Sequence, residues 1–179
     1  MLPFFSALIL TSLLNVDGLD WHNVKSYGAP LLHGKAQFST GQESYKYFQR
    51  LPAVARNTTR KAIWELQQNS AGLFVQFSTN SSTLMVNYTL AENFRGMWHF
   101  PPTGMSGMDA YSYDEGNSTW RWVGTTFAEV GAHVVTSKIT PDLRCVGSCP
   151  VRLFRIHLPT YNTVGDSNSN SELPNPPYI

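Results

Sequence analysis

Charge is scarce in this sequence. Of its 179 residues only 14% are Asp, Glu, Lys or Arg, against roughly 25% in an average soluble domain. Thirteen basic and twelve acidic side chains leave a formal charge of +1. With no basic surplus to neutralise phosphates, nucleic-acid binding by bulk charge is excluded. Cysteine is nearly absent, with Cys145 and Cys149 the two in the chain. No second Cys pair completes a tetrahedral zinc site, and the histidines show neither His-x-His nor His-Glu-x-x-His spacing, so no metal or cofactor is expected. A sustained 3.6-residue period is also missing, which argues against a coiled coil. Past the N-terminus no run is long and apolar enough to anchor the chain in a membrane.

What is present begins with Leu2 to Leu14, LPFFSALILTSLL, a run without a charge. A bilayer span takes about 20 apolar residues, so this run is too short to cross. It fits the apolar region of a secretory signal peptide, with Val16-Asp17-Gly18 offering small residues for cleavage. The alternative is a buried N-terminal element. Residues 1–18 are therefore expected to be a signal peptide and the protein to be secreted, without a membrane anchor. Two features agree. Asn57, Asn80, Asn87 and Asn117 each begin an Asn-x-Ser/Thr triplet without proline, an acceptor for N-glycosylation. In an oxidising compartment Cys145 and Cys149 could close a small disulfide loop. Unpaired thiols are the alternative.

Aromatic residues are plentiful at 13%, with 5 Trp and 8 Tyr, as in a β-rich domain. Leu73, Val75 and Phe77 alternate with Phe74 and Gln76. Leu84, Val86, Tyr88 and Leu90 alternate with Met85, Asn87 and Thr89. The polar stretch Ser78 to Ser82 between these runs predicts a hairpin. Asn87 then points outward. Met108 to Tyr113 and Trp120 to Thr125, around Asp114-Glu115-Gly116-Asn117, predict a second hairpin. Arg152 to Leu158 places Phe154, Ile156 and Leu158 on one face and Leu153, Arg155 and His157 on the other. Ala62 to Leu66 is a further strand candidate. Short strands between Gly, Pro and Asn turns predict an all-β fold, a single β-sandwich or jelly-roll domain over 19–164. Residues 165–179, polar and then Pro-rich, have the composition of a tail or linker.

The segment richest in candidate site residues is Asn93 to Gly124. It holds Trp98, His99, Asp109, Tyr111, Trp120 and Trp122. Asp109, Tyr111 and Tyr113 share a strand face. Rings that stack on sugar C–H faces, beside a carboxylate that accepts from hydroxyls, would make a carbohydrate site. In the competing reading Trp120 and Trp122 fill the core or cover its edge, and Asp109 satisfies backbone N–H groups of the Gly-rich turn. Both stay open at this level.

Gly107-Met108-Asp109-Ala110-Tyr111 resembles the Gly-x-Asp-Leu-Tyr motif that marks the N-terminal domain of SGNH-hydrolase-type esterases. Arg50-Leu51-Pro52, Ser70-Ala71-Gly72-Leu73, Met97-Trp98-His99-Phe100-Pro101, Trp120-Arg121-Trp122-Val123-Gly124 and Leu158-Pro159-Thr160-Tyr161-Asn162 extend the similarity over about residues 46–164. Ala110 departs from the motif's Leu. The resemblance implies a β-sandwich placed before an α/β catalytic domain that carries the nucleophile and its partners. It implies a non-catalytic accessory module whose partner is that SGNH catalytic domain or a carbohydrate ligand. A stand-alone glycan-binding module and the front of an active esterase are the alternatives.

Gly165-Asp166-Ser167-Asn168 also spells the start of a Gly-Asp-Ser nucleophile block. A serine needs a base, an orienting carboxylate and oxyanion donors. None of the residues after Ser167 is His or Asp, so Ser167 is a weak candidate nucleophile.

Overall fold

The computed structural model of the chain describes residues 21–27, 31–36, 48–139 and 150–165. Residues 1–18, expected to be a signal peptide, and Cys145, Cys149 and Ser167 lie outside the described residues.

Seven strands form two antiparallel sheets among the described residues. The strands are β1 (Leu32–His33), β2 (Phe74–Thr79), β3 (Met85–Thr89), β4 (Asp109–Asp114), β5 (Thr119–Thr125), β6 (Val134–Lys138) and β7 (Arg152–His157). The larger sheet has the order β1-β2-β7-β4-β5, and β3 pairs with β6 in the smaller one. Each sheet turns one apolar face toward the other. Val75, Ala110, Phe154 and Ile156 come from the larger sheet, and Val86, Tyr88 and Val135 from the smaller, all at most 2% exposed. Neither sheet could hide these side chains alone, and their shared burial is the main force joining the two layers. This is the expected all-β sandwich.

The hairpin expected between the first two runs does not form. β2 pairs with β1 and β7, whereas β3 pairs with β6. The polar Ser78 to Thr83 segment carries the chain from one layer to the other. Ser81 Oγ donates to the Thr83 carbonyl at 2.6 Å, and the Ser81 N–H donates to Thr79 Oγ1 at 3.1 Å. Alternation reports that a strand has one apolar face. It does not report whether the next strand lies beside it or across the core. The second hairpin, β4–β5, forms as expected.

Ala62 to Leu66 is not a strand either. It lies in the helix α1 (Lys61–Leu66), which has no buried residue. The Ile63 and Trp64 N–H groups both donate to the Arg60 carbonyl at 3.0 Å. Lys61 and Glu65 pair at 3.7 Å one helical turn apart. Six residues are too few to display a period. Among the described residues no helix is long and apolar enough to cross a membrane.

A second helix, α2 (Pro102–Ser106), leads into β4. The segment after β7 returns to the smaller sheet. Val164 bridges Leu90, the Ala91 N–H donates to the Thr163 carbonyl at 3.0 Å, and the Gly165 N–H donates to Thr89 at 2.8 Å.

Candidate functional site

The outer face of the larger sheet carries polar and aromatic side chains in register. One row runs His33, Phe74, His157 and Asp109 across β1, β2, β7 and β4. The next runs Gln76, Arg155, Tyr111 and Trp122 across β2, β7, β4 and β5. His33 stacks on Phe74 at 5.1 Å, Phe74 lies 5.2 Å from His157, and Tyr111 meets His157 edge-on at 5.4 Å. Tyr113 and Trp120 follow at 5.2 Å on the β4–β5 ribbon. The result is a continuous band of rings rather than scattered surface aromatics.

A β-bulge places the two tryptophans there. Ala110, fully buried, pairs with Gly124, so strict alternation would send Trp122 and Trp120 inward with Gly124. The register shifts between Ala110 and Tyr111. Trp122 then sits opposite Tyr111 and Trp120 opposite Tyr113. One extra residue on β5 reverses the facing of everything before it. Trp122 is accordingly 58% exposed and Trp120 half-buried. The reading in which they fill the core is corrected by this bulge.

The Gly-Met-Asp-Ala-Tyr segment divides between the two faces. Met108 and Ala110 point into the core, and Asp109 and Tyr111 lie on the outer face. The departure from Leu at Ala110 therefore falls inside the sandwich, opposite Ile156. Gly107 has a different reason to be there. A Cβ at this position would stand 2.4 Å from the Thr103 carbonyl oxygen, where α2 meets the strand. The backbone role suggested for Asp109 belongs instead to Thr126, whose Oγ1 accepts from the Met108 N–H at 2.7 Å. Asp109 accepts from the Trp122 indole N–H at 3.3 Å and so orients an exposed ring.

Trp98 and His99 are held elsewhere. They form the tip of a tight turn in which Met97 and Phe100 exchange backbone hydrogen bonds of 2.8 and 3.1 Å. Phe100 is hemmed in by Gly96 and Gly104, where any Cβ would lie 2.6 Å from it. Trp98 is 96% exposed and touches His99 edge-on at 4.5 Å. Among the described residues no hydrogen bond or ring contact connects this tip to the band on the sheet. The six residues expected to form one site thus fall into two groups.

A family profile for the N-terminus of SGNH-hydrolase-type esterases, named for its GxDLY motif, matches residues 19–167. The chain belongs to this GxDLY family. A solved structure of a protein from Bacteroides ovatus, described as a GDSL-like lipase, shares the fold of the GxDLY domain, with a TM-score of 0.60 and 24% identity. The similarity covers 75% of this chain and 36% of that protein, so the chain spans little more than a third of its structural neighbour. No curated protein sequence matches the chain.

Within the GxDLY domain, five members of the sheet band were not among the candidates from sequence: His33, Phe74, Gln76, Arg155 and His157. Their signal was legible. Each lies on the outward side of its strand's alternation, and an outward Phe is unusual enough to invite a reason. Arg155 occupies the middle of the band. Its guanidinium lies 4.7 Å from the Phe74 ring centre and 4.0 Å from that of Trp120, and its Nε donates to Gln76 Oε1 at 2.7 Å.

The charge of Arg155 is felt next door. Burial holds the His157 imidazole below its ordinary pKa of 6.5, and Arg155 lowers it further, against an upward pull from Asp109. The folded chain then binds fewer protons than the unfolded chain as the pH falls through that ordinary value. Stability contributed by neutral His157 is complete above it and declines below it. Asp114, held below its ordinary 3.8 chiefly by the Asn117 side chain, acts only at lower pH. Urea midpoints are expected to drop between pH 7.5 and 5.5, and His157→Gln to flatten that slope. An unchanged slope in the variant would locate the proton uptake at another group.

Asn57, Asn80 and Asn117 are exposed. Asn87 lies on the outer side of β3 with its amide donating to Thr136 Oγ1 at 2.8 Å, a bond that a glycan at Asn87 would have to replace.

Proposed function

We propose that this GxDLY domain is a non-catalytic accessory module of a secreted ester hydrolase, positioning the hydrolase domain or its carbohydrate-like substrate. The observation that carries the reading is the outward-facing ring band that crosses the very strand bearing the family motif. Asp109 and Tyr111 have no core function there. They face outward among Trp120, Trp122 and Tyr113 and suit a sugar better than a buried scaffold.

The Trp98 tip favours the docking half of this reading. The helix α2 that follows it is tied to the segment after β7: Thr160 Oγ1 donates to the Gly104 carbonyl at 2.6 Å, and the Tyr161 N–H to the Met105 carbonyl at 3.1 Å. An exposed indole on a hydrogen-bonded tight turn is the kind of group that anchors interfaces. Its exposure suits docking against a hydrolase domain.

The test uses the purified chain. Aryl acetate turnover is expected at the buffer rate, and migration through gels containing acetylated polysaccharide is expected to be retarded. Asp109→Ala should abolish the retardation while leaving the urea midpoint unchanged. Turnover lost in Ser167→Ala overturns the non-catalytic reading. An Asp109→Ala protein that mainly unfolds makes Asp109 a scaffold residue.

A further inference from the structure

Among the described residues Arg155 is an oriented cation without a counter-charge. Its flat guanidinium lies against Phe74 and Trp120, and its Nε is committed to Gln76. Neither terminal nitrogen has a hydrogen-bond partner among the described residues. The ion pairs there are Lys61–Glu65, Arg95–Glu92 and Arg121–Asp114, and Arg155 takes part in none. The side chains flanking it in the sheet are Gln76 on β2 and Tyr111 on β4, with His157 next along β7. None brings a negative charge. Asp109, the carboxylate of the band, is engaged by the Trp122 indole.

An arginine held this way presents its remaining donors in a fixed fork that matches a carboxylate. The entropy of ordering it has been lost before any ligand arrives. In the same cross-strand row, beyond Tyr111, lies the Trp122 ring, apolar, flat and 58% exposed. Carboxylate and C–H face occur together on one small ligand in a hexuronic acid.

We propose that the outer face of the five-stranded sheet binds an acidic carbohydrate. Arg155 takes the carboxylate of a sugar acid, and the exposed ring of Trp122 stacks on a pyranose face. The proposal rests on the reading of the domain as a module that holds sugar for an ester hydrolase, and it names the class of that sugar.

The test is calorimetric titration of the purified chain with trigalacturonate, its methyl ester and galactotriose. Trigalacturonate is expected to bind about tenfold more tightly than the other two, the worth of one charge-assisted hydrogen-bond pair. The preference should disappear in Arg155→Gln, weaken in Arg155→Lys and fall as salt is raised. The methyl ester makes the same comparison on the unaltered protein, should Arg155→Gln fail to fold. Equal binding of all three sugars overturns the acid site and leaves the sugar-holding reading standing. No binding of any sugar overturns both. A glutamate-rich peptide bound as tightly as trigalacturonate would overturn the carbohydrate assignment in favour of an acidic protein surface.

Discussion

Asn162→Ala is expected to lower the unfolding free energy by about 3 kcal/mol, from several lost buried hydrogen bonds at roughly 1 kcal/mol each. Asn162 is 1% exposed and uses both ends of its amide. Its Nδ2 donates to the Glu92 and Asn93 carbonyls and to Ser106 Oγ, at 3.1, 3.3 and 3.1 Å. Its Oδ1 accepts from the Glu92 and Thr163 N–H groups at 3.2 and 2.9 Å. One side chain thereby joins the loop after β3, the end of α2 and the segment that follows β7. Truncation leaves buried donors and acceptors unpaired, which costs more than the bonds themselves contribute. Asn162→Asp tests the same point at constant shape. It keeps the acceptor but turns an oxygen toward three acceptors, so it should be at least as damaging at neutral pH. Urea unfolding followed by tryptophan fluorescence reads both. A loss below about 0.5 kcal/mol in Asn162→Ala, the range of ordinary surface substitutions, would show that the network is dispensable.

Gly107→Ala is expected to cost about 3 kcal/mol or to prevent folding, the upper range for forcing atoms into a packed site. The φ of Gly107 is −83°, so left-handed backbone is not the issue. The obstacle is a backbone oxygen. The Thr103 carbonyl would stand 2.4 Å from the new methyl carbon, and the same carbonyl accepts the Gly107 N–H at 3.0 Å. Neither atom can retreat without opening the end of α2 and displacing the strand that begins two residues later. Gly116→Ala is the control, because there the nearest atom to a Cβ is Asp114 Oδ1 at 3.4 Å in an exposed turn. It should be close to neutral. Equal stability of the two variants would mean that the motif glycine is retained for something other than space.

Both expectations concern residues whose importance is hard to see in a string of letters. Asn162 stands in a run of polar residues, Thr160, Tyr161, Asn162 and Thr163, any of which could be surface. Its burial follows from the return of that segment against Leu90, a contact between residues 74 positions apart. Gly107 was legible as part of a motif, but the carbonyl that requires it was not. A turn residue can be recognised locally. The atom it must avoid depends on how α2 ends.

The sites divide in the same way. Asp109 and Tyr111 were placed on one face by period-2 alternation, and the sheet keeps them there. Trp98 and His99 were grouped with them because they are near in sequence. The tight turn closed by Met97 and Phe100 takes them to a separate tip instead. Arg155, Phe74 and Gln76 come from strands distant in the chain, and only the pairing of β2 with β7 and β7 with β4 brings them beside Tyr111.

By itself the sequence determined the strand-rich composition, most of the apolar faces, the β4–β5 hairpin and the family motif. These depend on side-chain alternation and turn chemistry, which act over a few residues. The tertiary structure decided that β2 and β3 face each other across a core, and that Trp120 and Trp122 point outward. Apolar faces attract without direction, so the same pattern serves neighbours in one sheet or strands in opposite sheets. A single bulge then reverses facing without altering any local preference.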